Sequence, residues 1–364
     1  MIEYLKILKS ILFLPRKVDV YPKHIQLDVT TYCNLKCKMC NSKKIISKEE
    51  DNVHLSFDKF KYIIDIIKPK SVNLAANGEP FLNPDIFKML DYAKKNKVTT
   101  IISSNFIISQ SLVNEIVSSS SLDILKISID GSTKETYEKI RGPYFDILTK
   151  NVELLNNIKL KLNSITPQLR FDFVIMKDNY KEMVDYLYFA KKFNVYSVYF
   201  HPIDSREYDE KQKNEIIYGI DFVLLKKVLK ETKRIASNFG IYTNIKSLLD
   251  NFDLLEELYL VRERKNKKRC LLPWLSLFIS ISGETSPCCT MYPDKTKSLG
   301  NIFIDDFDKI WNGEKMKLMR KNFRKIKNYD LYVDCRHCMP MDLKTLLNTS
   351  LTFPNYFKNF FKNK

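Results

Sequence analysis

From His24 to Ile203, short runs rich in Val, Ile, Phe and Tyr alternate with stretches in which apolar residues recur at helical spacing. The runs predict strands at Ile25–Thr30, Ser71–Ala75, Val98–Ser103, Ile124–Asp130, Leu169–Met176 and Tyr196–Ile203. The stretches between them predict helices such as Phe57–Ile67, Pro84–Lys95, Leu112–Val117 and Phe145–Ile158. Six strand–helix repeats indicate an α/β fold with a parallel sheet, whose working loops lie at the carboxyl ends of the strands.

The pattern divides the chain into five predicted segments. A basic, amphipathic extension with Leu5, Leu8 and Leu12 precedes the barrel; we expect it to pack on the domain, and anchoring at a membrane surface is the alternative. After the barrel, Arg262–Arg269 is typical of a solvated linker, and Leu277–Ile281 with Thr285–Cys288 predicts a hairpin. The boundaries are 1–23 for the extension, 24–210 for the barrel, 211–269 for a helical connection, 270–340 for a cysteine-rich domain and 341–364 for a basic, aromatic tail.

Composition narrows the classes of function. The formal net charge is +17, but the basic residues are mostly Lys and are spread along the chain, which is typical of a solvated surface and makes nucleic-acid binding unlikely. Such a surface would suit an acidic electron-donor protein. There is no transmembrane segment and no signal-peptide pattern, so we expect a cytoplasmic protein. Clustered cysteines in that compartment indicate metal or redox chemistry rather than disulfides.

The first cysteine group follows the first predicted strand. Cys33, Cys37 and Cys40 place three thiolates within eight residues, and no fourth cysteine is near. A four-iron cluster takes four ligands, so one iron would stay open to bind a substrate or cofactor. A structural zinc site would need a closed set of four ligands, and it remains the alternative for these residues taken alone.

Cys33-x3-Cys37-x2-Cys40 after a first strand resembles the signature of radical S-adenosylmethionine enzymes. The resemblance implies a partial (β/α)6 TIM-like barrel and a 4Fe-4S cluster whose open iron chelates S-adenosylmethionine. It also implies that an electron from the cluster cleaves this cofactor to a 5′-deoxyadenosyl radical, which removes a hydrogen atom from the substrate. Flavodoxin or ferredoxin is the implied electron donor.

Further segments resemble the cofactor-binding loops of that family. The loop after the second strand resembles its "GE" loop, which contacts the methionine amino group, and the Ser and Arg after the fourth strand match those that hold the ribose and the carboxylate. The end of the third strand departs from the Thr-Asn-Gly turn of many relatives, so the role of Ser103 or Asn105 is open. The residues implied to bind S-adenosylmethionine are Asn77, Gly78, Glu79, Ser103, Asn105, Ser128, Asp130, Arg141 and Met176.

The second cysteine group resembles the SPASM/twitch extension of radical S-adenosylmethionine enzymes. Cys270, Cys288, Cys335 and Cys338 are the implied ligands of one auxiliary 4Fe-4S cluster, and Cys289 is left over. Whether Cys288 or Cys289 is the ligand cannot be read from the sequence. A structural zinc knot is the alternative, since four thiolates suit zinc equally well.

The two groups together predict an enzyme. The auxiliary cluster, fully held by thiolates, would accept an electron from a substrate radical. The leading hypothesis is oxidation or rearrangement of a small polar, sugar-like substrate; the second is a maturase that modifies a peptide or protein. A non-catalytic zinc-binding module is a third. The residues that would act as catalytic acid or base cannot be chosen from the sequence.

Overall fold

The structure is a computed structural model that describes residues 2–45, 53–75, 77–204, 208–260, 269–292, 297–324, 335 and 338–350. Most of the predicted linker and the end of the tail therefore lie outside the described residues. The strands are β1 (His24–Leu27), β2 (Ser71–Leu74), β3 (Thr99–Ser104), β4 (Ile124–Ser128), β5 (Gln168–Val174), β6 (Ser197–His201), β7 (Tyr242–Thr243), β8 (Ser276–Ile279) and β9 (Thr285–Ser286).

Helices follow or connect these strands and cover the sheet. In chain order they are α1 (Ile2–Phe13), α2 (Ser42–Ile45), α3 (Phe57–Ile67), α4 (Ile86–Lys95), α5 (Gln110–Ser118), α6 (Lys134–Arg141), α7 (Phe145–Lys161), α8 (Met183–Lys192), α9 (Glu210–Ile216), α10 (Phe222–Phe239), α11 (Ile245–Asp250), α12 (Phe252–Tyr259), α13 (Leu272–Leu275), α14 (Phe307–Trp311), α15 (Glu314–Arg324) and α16 (Leu343–Ser350).

The strands form one sheet in the order β7-β6-β5-β4-β3-β2-β1-β8-β9. The first six strands lie in chain order and pair in parallel, which confirms the predicted α/β fold built from repeated strand–helix units. The cysteine-rich region joins the same sheet, because β8 pairs in parallel with β1, from His24 opposite Ser276 to Leu27 opposite Ile279. The predicted hairpin is confirmed as the antiparallel pair of β8 and β9.

Alternation along the inner strands separates a core face from a polar face. In β4, Leu125 and Ile127 are fully buried, whereas Lys126 and Ser128 are only half-buried on the opposite face, as the two-residue period of a strand requires. The apolar face packs against the surrounding helices in one hydrophobic core. The polar face is turned away from these helices, toward the barrel interior, where chemistry can take place.

Helix α3 shows how local sequence sets an element on this core. Ser56 caps its first turn by accepting a hydrogen bond from the backbone N–H of Lys59, and Lys68 ends it in the left-handed conformation with φ of 50°. The four buried residues of the helix have the spacing of one face and each stabilise the fold by about 1.5–3 kcal/mol through burial; they are Phe60, Ile63, Ile64 and Ile67.

Candidate active site

The first cysteine group lies in the loop after β1, at the carboxyl edge of the sheet. Cys33 and Cys40 are exposed and Cys37 is half-buried. The loop is held in place because the N–H of Lys38 donates to the carbonyl of Ile140 at 2.9 Å. Burial raises the pKa of the Cys33 and Cys37 thiols, and Arg141 opposes this rise at Cys37. Three accessible sulfur atoms on one short loop fit a cluster with one open iron.

Arg141, at the end of α6, is buried beside this loop. Its Nη1 lies 3.6 Å from the Sγ of Cys37, and its Nε donates to Oδ2 of Asp130 at 2.5 Å. The other carboxylate oxygen of Asp130 accepts from the N–H of Val174 at 2.6 Å. Burial alone would lower the pKa of Arg141, but Asp130 raises it overall, so the guanidinium stays charged. A fixed guanidinium with free N–H groups near the cysteine loop suits a carboxylate ligand.

Gly78 lets the loop after β2 lie directly against the cysteine loop. A Cβ at this position would lie 2.4 Å from the carbonyl oxygen of Thr30 and 2.5 Å from that of Tyr32. The approach is fixed because the N–H of Glu79 donates to the carbonyl of Tyr32 at 2.7 Å. Asn77 donates from Nδ2 to Oδ2 of Asp28 at 3.0 Å. Only glycine permits this backbone proximity.

The carboxylate of Glu79 binds protein groups rather than facing the site. It is buried and accepts from Oγ of Ser104 at 2.8 Å and from the N–H of Asn105 at 2.7 Å. Burial raises its pKa to about 7, although these hydrogen bonds oppose the rise. Glu79 thus ties the loop after β2 to the end of β3.

The end of β3 reaches the cysteine loop through Asn105. Its Nδ2 donates to Oδ1 of Asn34 at 2.7 Å and lies 3.8 Å from the Sγ of Cys33. Ser103, which the sequence singles out, is half-buried, whereas its neighbour Ser104 bonds Glu79. Asn105 therefore lies beside the first cysteine, and Ser104, rather than Ser103, forms the hydrogen bond to Glu79.

A cavity of about 340 Å³ adjoins these groups, and Ser128 and Arg141 line it. Met176 does not: it is 2% exposed and packs in the core, and its N–H is held by Asn179. From the strand that precedes Met176, Val174 lines the cavity instead. Strand β5 ends before Met176, and within this stretch Val174 is the residue that lines the cavity.

Two cavity residues, Asp172 and His201, were missed in the sequence. Nε2 of His201 lies 3.1 Å from Oδ2 of Asp172, and Arg170 forms a two-point ion pair with the same carboxylate. The Arg170 guanidinium stacks 4.3 Å from the centre of the Tyr199 ring. Burial alone would raise the pKa of Asp172, but Arg170 and His201 hold it well below its usual range.

The signal that could have found these residues is the alternation within β5 and β6. Arg170 and Asp172 are two residues apart in one strand, as are Tyr199 and His201 in the next, in strands that are otherwise mainly apolar. Polar residues at a period of two lie on one face of a strand. In a barrel whose other face is covered by helices, that face is the interior.

The structure brings the second cysteine group together. The pKa of the Cys288 thiol lies well above its usual range. Burial is the largest cause, and further contributions come from the nearby Cys289, Cys338, Cys270 and Cys335. Cys289 is exposed, whereas the other four are partly buried. The enclosure of Cys288 by the other cysteines fits its predicted role as a cluster ligand.

This second group borders the barrel interior. Burial and Arg170 lower the pKa of Lys126 to about 7, and the nearby Cys289 opposes that shift. Within the part of the chain that the structure describes, no three Cys, His, Asp or Glu side chains are close enough to share one metal ion. In a four-iron cluster each cysteine binds a different iron, so this spacing is compatible with a cluster.

Two family profiles match the chain. The radical SAM superfamily matches residues 27–173, and SPASM, an iron–sulfur cluster-binding domain, matches residues 270–339. Among curated proteins, the antilisterial bacteriocin subtilosin biosynthesis protein AlbA of Bacillus subtilis (strain 168) is 24% identical over 80% of this chain and 60% of its own length. The tungsten-containing aldehyde ferredoxin oxidoreductase cofactor-modifying protein of Pyrococcus furiosus is 24% identical over 90% of both chains.

Solved structures share the fold. SuiB of Streptococcus suis, bound to its precursor peptide SuiA, superposes with a TM-score of 0.62 and 16% identity, covering 82% of this chain and 67% of that one. Native anSMEcpe with bound AdoMet superposes with a TM-score of 0.61 and 16% identity, covering 92% of this chain and 98% of that one.

None of the described helices has an apolar stretch long enough to span a bilayer. The match to AlbA spans 60% of the length of that relative. The two profile matches account for both cysteine groups and for the parallel sheet between them. The chain therefore belongs to the radical S-adenosylmethionine superfamily, as an enzyme with a 4Fe-4S cluster, S-adenosylmethionine as cofactor and a C-terminal SPASM iron–sulfur domain.

Proposed function

We propose that this enzyme is a maturase that modifies a peptide or protein. The observation that carries the proposal is the relationship to AlbA, a bacteriocin biosynthesis protein, over 80% of this chain. The cofactor-modifying protein of Pyrococcus furiosus and the mycofactocin maturase MftC are further relatives with modifying roles. The sugar-like substrate that leads in the sequence analysis gains no support from these relationships.

The shape of the cavity is compatible with a peptide. It has a volume of about 340 Å³ and opens to the outside, so a peptide could extend a single side chain into it.

The two cysteine groups and Arg141 would hold the cofactors. Cys33, Cys37 and Cys40 would hold the cluster, and Arg141 would hold the carboxylate of S-adenosylmethionine in an orientation set by Asp130. When bound, these cofactors supply hydrogen-atom abstraction. At the other cysteine group, Cys270, Cys288, Cys335 and Cys338 would hold the auxiliary cluster.

Asp172 and His201 would face the substrate side of the cavity. Asp172 is charged and accepts from Arg170, so it can orient the His201 ring through Nε2. Nε2 of His201 also lies 3.4 Å from Nη2 of Arg170. In the tautomer that donates from Nε2 to Asp172, Nδ1 is the ring atom able to accept a proton when the substrate loses one, and the pair then supplies a proton acceptor that the sequence alone does not single out.

The test is modification of a peptide by the anaerobically reconstituted enzyme. Enzyme, dithionite and S-adenosylmethionine are incubated with each short peptide encoded beside the gene, and mass spectrometry follows the peptide and 5′-deoxyadenosine together. We expect a mass change in one peptide that needs S-adenosylmethionine and disappears when Cys33, Cys37 and Cys40 are all replaced by Ala. Unchanged peptides, with a sugar nucleotide consumed in their place, would overturn the proposal.

A further inference from the structure

Helix α1 has an apolar face on each side. Ile7 and Leu14 point inward and are 5% and 3% exposed, as expected for a helix that packs on the domain. On the outer side, Leu5, Leu12 and Phe13 are 55%, 61% and 66% exposed. A helix that only packs on a globular core carries polar residues on its outer side, so the outer face of α1 needs another explanation.

The exposed residues form a continuous stripe. Leu5, Leu8 and Leu12 are three and four residues apart, which places them within an arc of about 60° on a helix that turns about 100° per residue. Phe13 extends the same exposed side. Scattered single apolar residues are common on surfaces, but an aligned row marks a surface for interaction.

The charge around the stripe is of one sign. Lys9 lies within this exposed side of the helix and Lys6 lies at one edge of it. Arg16 and Lys17 follow in the exposed chain after the helix. Residues 4–18 contain no Asp or Glu, and Glu3, in the first turn, is the one acidic residue of α1. Apolar insertion combined with basic residues is the pair of signals that holds a helix at an anionic membrane surface.

The available area disfavours a protein partner. A large apolar side chain offers at most ~200 Å², so the four residues of the stripe, about half exposed, offer roughly 400 Å². Each partner in even a small specific protein interface contributes ~600 Å². A fluid lipid surface has no such minimum, because neighbouring basic residues contribute through the headgroups.

We propose that α1 binds the surface of an anionic membrane, with Leu5, Leu8, Leu12 and Phe13 among the acyl chains and the flanking basic residues at the headgroups. The contact is peripheral and reversible. It also orients the whole enzyme, because the helix is fixed to the body: Nε1 of Trp274 donates to the carbonyl of Pro15 at 2.8 Å, directly after the helix. This inference does not depend on the proposed substrate.

The experiment is co-sedimentation of the purified full-length enzyme with vesicles. Vesicles of phosphatidylcholine mixed with phosphatidylglycerol are compared with vesicles of phosphatidylcholine alone. We expect binding to the mixed vesicles that weakens as salt is added, and at least a tenfold loss of affinity in the double variant Leu5→Glu/Leu12→Glu. The variant Val223→Glu is the matched control, since Val223 is 69% exposed on α10, and it should bind as the wild type does.

Three outcomes would overturn the proposal. They are no binding of the wild type to the mixed vesicles, equal binding of the double variant, and a dimer in light scattering that the double variant abolishes, because the last would assign the stripe to a second copy of the chain. Thermal unfolding of each variant shows that the fold is intact before binding is compared.

Discussion

Asp130 and Arg141 form a buried ion pair that joins the end of β4 to the end of α6 beside the cysteine loop. The carboxylate is fully buried, and its second oxygen is held by the N–H of Val174. Since Asp130 is the carboxylate that holds Nε of Arg141, the position of the guanidinium next to Cys37 depends on Asp130. The pair is therefore both a structural link and a positioning device for the cofactor carboxylate.

Removing one partner of this pair should lower the free energy of unfolding more than removing both partners. Asp130→Ala leaves the Arg141 charge buried and should lower the free energy of unfolding by about 3–5 kcal/mol. The double variant Asp130→Asn/Arg141→Met removes both charges and should recover part of that loss, while S-adenosylmethionine binding stays weak. Urea denaturation and titration calorimetry measure the two effects separately. Equal stability of the single and double variants would show that the charge of Arg141 is not buried as described.

Iron content distinguishes the ligands of the two cysteine groups. Two four-iron clusters give about eight irons per chain after anaerobic reconstitution, and Cys335→Ala should leave about four. Cys289→Ala should keep about eight, because Cys289 is exposed while Cys288 is enclosed by the other cysteines. If Cys289→Ala lost four irons and Cys288→Ala lost none, the assignment between the two neighbours would be reversed.

Gly78→Ala should damage the site by steric collision. The added methyl group meets two backbone carbonyl oxygens that cannot rotate away, so the loop must shift, with a loss of about 1–3 kcal/mol in stability and weaker S-adenosylmethionine binding. The control is Gly240→Ala, which has φ of 68° but open space around an added Cβ. That variant should lower the free energy of unfolding by only about 1 kcal/mol and leave cofactor binding unchanged. Equal effects of the two substitutions on binding would contradict the close approach at Gly78.

His24 should make the fold sensitive to acid. The pKa of His24 is lowered from 6.5 to about 3, mainly by burial and to a smaller extent by the charge of Lys126. The unfolded chain therefore binds a proton that the native state excludes, so stability is lost as the pH falls from about 6.5 toward about 3, by up to ~1.4 kcal/mol per pH unit from this group. His24→Gln removes that contribution and should flatten the decline in urea denaturation between about pH 7 and about pH 5. An unchanged decline would mean that other groups cause the acid sensitivity.

Much of the fold could be predicted because the helices and strands follow from the local spacing of apolar residues. Helix α3 has the predicted bounds, and the predicted strands all form. Their ends differ because the pattern of apolar residues does not show where ladder pairing stops. The predicted strand Ile25–Thr30 ends at Leu27, after which the chain turns and Thr30 forms an isolated bridge with His54.

The site was less predictable because its contacts are long-range. The cysteines and Arg141 stand in recognisable spacings, but the ion pair that holds Arg141 depends on where α6 packs. Glu79 illustrates the same point: its sequence neighbours suggest a ligand loop, whereas the tertiary fold buries its carboxylate against Asn105. Asp172 and His201 carry a signal only after their strands are known to share one interior.

The pairing of β1 with β8 limits how this chain can be shortened. Truncation before Cys270 would take away β8, and the N–H and carbonyl groups of β1 that face β8 would lose their partners. The strand thus exposed carries Ile25 and Leu27, which are fully buried in the intact protein. An uncovered apolar edge recruits strands from other molecules. We therefore expect the isolated barrel to aggregate, so that the region carrying the second group of thiols is also what keeps the catalytic half monodisperse.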